Sequence, residues 1–259
     1  MKKCFISVIS AGVLFLSVQL TGCDKKDDSY SANLMTDYMK LETGKYVIYR
    51  LDSTTFINFG QKDTTVSYQA KDVVEGPATD NLGRAGWRIV RYLRPLTSTS
   101  ESDWRLNITY HVIPSQANIE LNEGNFRYLK LVSPISNGRT WRGNGYLPNN
   151  PYKGLYDFSF DVNIFTQDWE FTYQDVGATA SYNNKDYDST LTVVQITDSI
   201  NLPITAGTPA SKTYWVEQYA KNVGLVYKEV EIWEYQPQAG QTQSYRQGFG
   251  LKMTIIDHN

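Results

Sequence analysis

Cysteine and histidine are almost absent, two of each in 259 residues, and that scarcity removes several kinds of chemistry at once. Nucleophilic catalysis sets a Ser, Cys or Thr beside a base. Here His111 and His258 are the only imidazoles available for that role. Neither has a second histidine at metal-ligand spacing, so both read as structural residues and no metal or other cofactor is expected. No Gly-x-Ser-x-Gly elbow and no glycine-rich phosphate loop occurs either. Charge of one sign is equally lacking: 25 basic residues stand against 27 acidic ones, for a formal net charge of -2. Nucleic-acid binding draws on a basic excess, so that partner is excluded. There is no fixed-period repeat and no stretch of linker composition, which argues for one folded domain.

The first 22 residues are of another kind. Met1-Lys2-Lys3 is a short positive start, and Cys4 to Val18 is apolar apart from scattered Ser and Gly. That run is too short to span a bilayer and matches the hydrophobic region of a signal peptide. Leu20-Thr21-Gly22-Cys23 has the small residues before cysteine that lipoprotein signal peptidase reads, so cleavage is expected between Gly22 and Cys23, with lipid on Cys23. Two or three acyl chains, palmitate among them, hold a protein stably where one does so only marginally. Cys4 leaves with residues 1–22 and Cys23 is consumed by lipid, so no internal disulfide forms. Residues 23–33 continue as Asp24-Lys25-Lys26-Asp27-Asp28-Ser29, too charged to bury, and form a flexible tether. The expected location is the cell envelope, lipid-anchored in the outer membrane and either periplasmic or surface-exposed.

What is abundant in residues 34–259 is strand material: nineteen tyrosines, six tryptophans and frequent Val and Thr. Leu34, Met35, Tyr38 and Leu41 fit a short amphipathic helix before Gly44. From Lys45 the period becomes two. Strands are expected over Tyr46–Leu51, Thr64–Glu75, Trp87–Arg94, Trp104–Ile113, Ala117–Leu121 and Phe126–Val132. More follow at Tyr156–Phe165, Trp169–Gln174, Thr190–Ile200, Thr213–Ala220, Leu225–Tyr235 and 249–256. Pro77–Gly86 and Ala178–Ser189 read as breaks, Pro134–Pro151 as a long loop, and Lys221–Gly224 as a hairpin turn. The fold class is all-β: a single antiparallel barrel or a two-sheet sandwich of about ten strands, since either removes exposed edges.

Candidate sites are few. Glycoside hydrolysis needs two carboxylates flanking a bond, and Asp168/Glu170 and Glu229/Glu231 each share an expected strand face. Such pairs are ordinary on a solvated sheet. Trp141, Arg142, Asn144 and Tyr146 combine stacking surface with planar hydrogen-bonding groups in one loop, which suits a sugar, while Tyr227 and Trp233 share the face of Glu229 and Glu231. The plainer reading has Trp141 plugging the core and Asn144 turning the backbone. The function expected is that of a non-catalytic, membrane-anchored envelope lipoprotein whose β domain binds a ligand or a protein partner. The alternatives are a surface glycan-binding component and, third, a carboxylate-pair glycoside hydrolase.

Three stretches carry a family resemblance: Tyr38-Met39-Lys40-Leu41-Glu42-Thr43-Gly44-Lys45-Tyr46-Val47-Ile48-Tyr49-Arg50-Leu51-Asp52-Ser53, Lys130-Leu131-Val132-Ser133-Pro134-Ile135 leading to Gly138-Arg139-Thr140-Trp141-Arg142-Gly143-Asn144, and Tyr219-Ala220-Lys221-Asn222-Val223-Gly224-Leu225-Val226-Tyr227-Lys228-Glu229. Together they resemble a widespread group of uncharacterised Gram-negative envelope lipoproteins. The resemblance implies a calycin-like antiparallel β domain tethered in the envelope. It implies no activity.

Overall fold

The computed structural model describes residues 34–159, 166–240 and 242–259, which belong to one compact unit. Residues 1–33, on which the expected signal peptide, its cleavage between Gly22 and Cys23 and the expected tether fall, lie outside them, as do residues 160–165 and 241. Twelve strands form one antiparallel sheet: β1 Tyr46–Ile57, β2 Lys62–Thr79, β3 Ala85–Pro95, β4 Arg105–Pro114, β5 Asn118–Glu123, β6 Phe126–Val132, β7 Thr140–Trp141, β8 Phe171–Tyr182, β9 Lys185–Ile200, β10 Ala210–Ala220, β11 Gly224–Gln236 and β12 Tyr245–His258. Each strand pairs with its neighbours in sequence except β6 with β7, and β12 returns to pair with β1. This is the order of an up-and-down barrel with one unladdered gap, between β6 and β7.

Side chains and single backbone bonds bridge that gap. The Leu129 N–H donates to the Gly143 carbonyl at 2.8 Å, and the Trp141 indole N–H donates to the Leu129 carbonyl at 2.9 Å. The Tyr173 hydroxyl accepts from the Val132 N–H at 2.7 Å and donates to its carbonyl at 3.0 Å. Of the two architectures expected, the molecule is therefore a nearly closed barrel. Bulges at Val74/Gly76, Arg91/Tyr92, Ile119/Glu120 and Trp215/Val216 bend the sheet, as extra residues in one strand do.

Strand alternation places the core. In β11, Val226, Val230 and Ile232 are buried while Tyr227, Glu229, Glu231 and Trp233 are only half-buried. The expected N-terminal helix is a single 3-10 turn, Met35–Tyr38, which buries Met35 and Tyr38 in the main apolar cluster with Ile119, Leu131, Phe171 and Leu191.

Several boundaries differ from expectation for physical reasons. Ala178–Ser189 is not a break but a hairpin, turned by Asn183 and Asn184 at φ 51° and 60°, the pair of positive φ values a tight hairpin requires. It looks polar in sequence because cross-strand polar pairs hold it, with Ser181 bonded to Asp186 at 2.5 Å and Thr179 to Asp188 at 3.1 Å. Pro77–Gly86 is strand at both ends, and its turn is narrowed to Asp80–Arg84 by the Asp80 carboxylate, which accepts the Leu82 and Arg84 N–H groups. Tyr156–Ser159 form no strand. Instead Tyr156 stacks on Phe158 and Phe249 at 5.3 and 5.7 Å, its ring engaged in packing. Asp168 ends a 3-10 turn, Thr166–Asp168, and the following strand begins at Phe171, so Asp168 and Glu170 do not share a strand face.

Candidate functional site

The six residues singled out as ligand-binding candidates do not converge. Trp141 lies against Phe171 and Tyr173, with ring centroids 5.7 and 4.5 Å away, at the seam between β6 and β7. A Cβ on Gly143 would overlap the Phe171 ring, so glycine is what lets this loop close on the core. Asn144 is 1% exposed, and its carbonyl accepts the Leu147 N–H. Arg142 and Tyr146 face solvent, and the Tyr146 ring is covered by the Arg127 guanidinium at 3.8 Å. Tyr227 and Trp233 lie on the outer face of β11, away from that seam. Tyr227 stacks on Tyr182 at 5.5 Å and donates to Glu229 at 2.6 Å. Trp233 donates to Glu231 at 3.2 Å and borders an outer groove with Phe56, Arg246 and Gly250.

A different constellation forms inside the barrel, around a cavity of about 110 Å³. Its polar wall comes from seven strands. Asp72 on β2 takes both arms of the Arg91 guanidinium from β3, at 2.6 and 2.7 Å, and the Tyr110 hydroxyl from β4 at 3.0 Å. Glu123, at the end of β5, stands 3.7 Å from Arg91. Across the cavity Glu217 on β10 accepts from Lys130 of β6 at 2.7 Å, from the Trp215 indole at 3.1 Å and from the Tyr219 hydroxyl at 2.7 Å. Lys228 of β11 lies 3.7 Å from the same carboxylate and 4.9 Å from the centre of the Trp215 ring. Val74, Ile89, Val112, Leu121 and Leu225 form the apolar wall, and Lys40, Lys45 and Tyr46 line the cavity where the 3-10 turn leads into β1.

The electrostatics of this chamber hold its groups in definite protonation states. Burial by itself would raise the Glu217 carboxyl, but Lys130 and Lys228 overcome it and hold the group at about 2. Burial and nearby carboxylates push the Tyr49, Tyr110 and Tyr219 hydroxyls well above the usual tyrosine range. They stay protonated at neutral pH and act as donors. Burial lowers the Lys228 ammonium, with Glu217 opposing that effect.

No serine, threonine, cysteine or histidine lines the cavity among the described residues. A carboxylate serving as general acid needs its pKa raised toward neutrality, and Glu217 is driven the other way. On the outer face Glu229 and Glu231 are each engaged with a tyrosine or tryptophan, and Glu231 also with Lys212 at 2.8 Å. Among the described residues no group of three His, Cys, Asp or Glu could hold a metal ion.

Fold and site together define an antiparallel β-barrel, nearly closed, with a charged and tyrosine-rich interior chamber. Two solved structures align with most of the chain. One is a Vibrio parahaemolyticus domain assigned to outer membrane lipoprotein sorting, 13% identical over 83% of this chain and 85% of that chain, with a TM-score of 0.21. The other is a DUF1329 family protein from Desulfovibrio piger, 11% identical over 85% and 87%, with a TM-score of 0.20. No protein-family model matches the chain, and no curated protein matches it. At those scores the alignments carry no weight beyond themselves, and the reading of the site rests on its own geometry.

Proposed function

We propose that this chain is a lipid-anchored envelope protein whose barrel binds a small ligand in its interior chamber and releases it chemically unchanged. The observation that carries this reading is the set of charged side chains, Asp72, Arg91, Lys130, Glu217 and Lys228, arranged around open space inside the sheet. Buried ion pairs are poor stabilisers, and apolar replacements of similar volume often leave a protein as stable or more so. A barrel core selected for stability alone would be filled with aliphatic residues. A polar, partly apolar cavity with fixed donors is instead the general form of a ligand site. The envelope assignment rests on Leu20-Thr21-Gly22-Cys23 and the charged tether that follows.

The test is a thermal-shift and calorimetric screen of the chain from residue 23 onward, carrying Cys23→Ala, against small envelope metabolites. A ligand that raises the melting temperature in wild type but not when Arg91 and Asp72 are both replaced by Leu supports chamber binding. A screen in which every stabilising compound acts equally on that double variant rejects it.

A second reading is favoured by one observation on the outer face. Gly250 leaves a groove of about 280 Å³ flanked by Phe56 and Trp233 and floored by strand backbone, with Glu229 and Glu231 beside it. Aromatic walls with carboxylates suit a sugar, and glycan-array binding lost in Trp233→Ala would support that alternative.

A further inference from the structure

The chamber reading leaves the chemistry of the ligand open, and the hydrogen-bonding capacity of the wall narrows it. Two of the three interior carboxylates are already supplied with donors, and the third, Glu123, faces Arg91 at 3.7 Å. Asp72 takes the bidentate Arg91 and Tyr110. Glu217 takes Lys130, Trp215 and Tyr219 at 2.7 to 3.1 Å. The Tyr49 hydroxyl donates to the Leu225 carbonyl at 2.9 Å.

The cations are not equally supplied with acceptors. Arg91 is committed to Asp72 and Lys130 to Glu217, but the carboxylate nearest Lys228 is the same Glu217 oxygen, 3.7 Å away and already bonded to Lys130 and Trp215. An ammonium carries three donors and no acceptor. Among the described residues Lys228 has no acceptor at hydrogen-bonding distance, although its side chain is only 15% exposed and it lines the cavity. Leaving such a group without a partner is costly, and charge-assisted bonds are the strong remedy. Lys45, at the cavity's β1 side, adds a second positive charge.

We infer that the chamber ligand is a small organic acid whose carboxylate is taken by Lys228 and whose hydrocarbon part lies against Val74, Ile89, Val112, Leu121 and Leu225. This rests on the chamber reading of the preceding subsection. The size follows from the volume. A dry cavity of about 150 Å³ accepts benzene, so about 110 Å³ encloses roughly four heavy atoms, the carbon chain of a short acid such as butyrate, with its carboxylate oxygens beyond that volume at Lys228.

The experiment compares butyrate with butyramide and n-butylamine by isothermal titration calorimetry on the chain from residue 23 onward carrying Cys23→Ala, in wild type, Lys228→Met and Lys228→Arg. Butyrate should bind at least about tenfold more tightly than the isosteric amide in wild type, one charge-assisted bond being worth that or more. The margin should fall to within about twofold in Lys228→Met and return in part in Lys228→Arg. Circular dichroism and melting temperature establish that both variants fold. Lys228→Met also removes one of the two cations facing Glu217, so its melting temperature should fall somewhat, and loss of the butyrate preference in a variant that circular dichroism shows to be folded, with partial return in Lys228→Arg, reports on the ligand.

Dodecanoate is the second arm. Tighter Lys228-dependent binding of dodecanoate than of butyrate assigns the carboxylate to a fatty acid, and the reverse assigns it to a free short acid; either keeps the anion assignment. Amide or amine binding as tightly as butyrate overturns the inference while leaving a ligand chamber in place. Failure of all four compounds in wild type overturns the inference as stated. The broader screen above, scored with the Arg91/Asp72 double variant, then decides separately whether the chamber binds anything.

Discussion

Replacing Glu217 by Gln tests whether the interior charges are held as the geometry requires. Gln keeps the shape and can still accept from Tyr219, but it removes the negative charge that faces two lysines. Lys130 and Glu217 have side chains 4% and 2% exposed, so Lys130 would be left as a buried cation without its counter-charge. Breaking a buried pair in this way costs about 3–5 kcal/mol. An independent route gives a similar figure. Glutamate ordinarily titrates near 4.5, and Glu217 is held at about 2, a difference equivalent to about 3 kcal/mol of linked stability. The sign is fixed by the depressed value: the contribution is fully present above about pH 4.5 and is lost as pH falls from there toward about 2. Urea unfolding followed by tryptophan fluorescence at pH 7 should show the variant's midpoint lowered by roughly 1–2 M. Repeating the titration at pH 3 should shrink the gap between the two proteins, because wild type is then losing the same interaction. A deficit below about 1 kcal/mol at pH 7, or one that does not narrow in acid, would refute the reasoning. A small deficit would mean that water in the chamber already screens the pair, and one that does not narrow in acid would mean that the cost comes from something other than the lost charge.

The remaining predictions concern the anchor, the seam and one isolated polar residue. Cys23→Ala should move the protein from the membrane fraction to the soluble fraction of lysed cells, and continued sedimentation with membranes would count against lipidation. Trp141→Ala should destabilise by about 2–3 kcal/mol, less than a fully buried tryptophan because Trp141 is only half-buried. Trp141→Phe should cost about 1 kcal/mol for the lost bond to the Leu129 carbonyl, and chemical denaturation measures both. Gln195 is 1% exposed and both its amide atoms lack a partner among the described residues. Gln195→Met should therefore raise stability by about 1–2 kcal/mol, seen as a higher melting temperature by calorimetry.

Much of the fold is legible in the period-two pattern, because a barrel strand has one face in the core and the other in water. The meander β4–β5–β6 follows directly from Arg105–Pro114, Asn118–Glu123 and Phe126–Val132, separated by turns that only Ser115 to Ala117 and Gly124-Asn125 could make. The pattern fails where strands leave the core. The outer end of the β8–β9 ribbon carries Thr179, Ser181, Asp186 and Asp188, which look like loop until their cross-strand pairing is seen. It fails again where aromatic residues bury themselves without pairing, as Tyr156 and Phe158 do. Closure of the sheet is illegible for a different reason. It depends on β12 finding β1 and on Tyr173 reaching Val132 of β6, contacts whose partners are far apart in sequence.

The site is harder to read because alternation identifies two faces without saying which is inside. A charge in a strand is ordinarily assigned to solvent, and that rule hides Asp72, Arg91, Lys130, Glu217 and Lys228. Yet these five share a signature. Asp72 stands between Ala70 and Val74, Arg91 between Ile89 and Leu93, Lys130 between Tyr128 and Val132, Glu217 between Trp215 and Tyr219, and Lys228 between Val226 and Val230. Each is a lone charge flanked at i−2 and i+2, on its own strand face, by apolar or aromatic residues. Glu229 and Glu231, which drew attention as a carboxylate pair, have each other as same-face neighbours and lie outside. The signature is not exclusive, since Lys212 between Ala210 and Tyr214 satisfies it and pairs with Glu231 on the outer face. Its force comes from recurrence with balanced sign on several strands. Cations and carboxylates that each interrupt an apolar face can be accommodated together only where those faces meet, and in a barrel they meet inside.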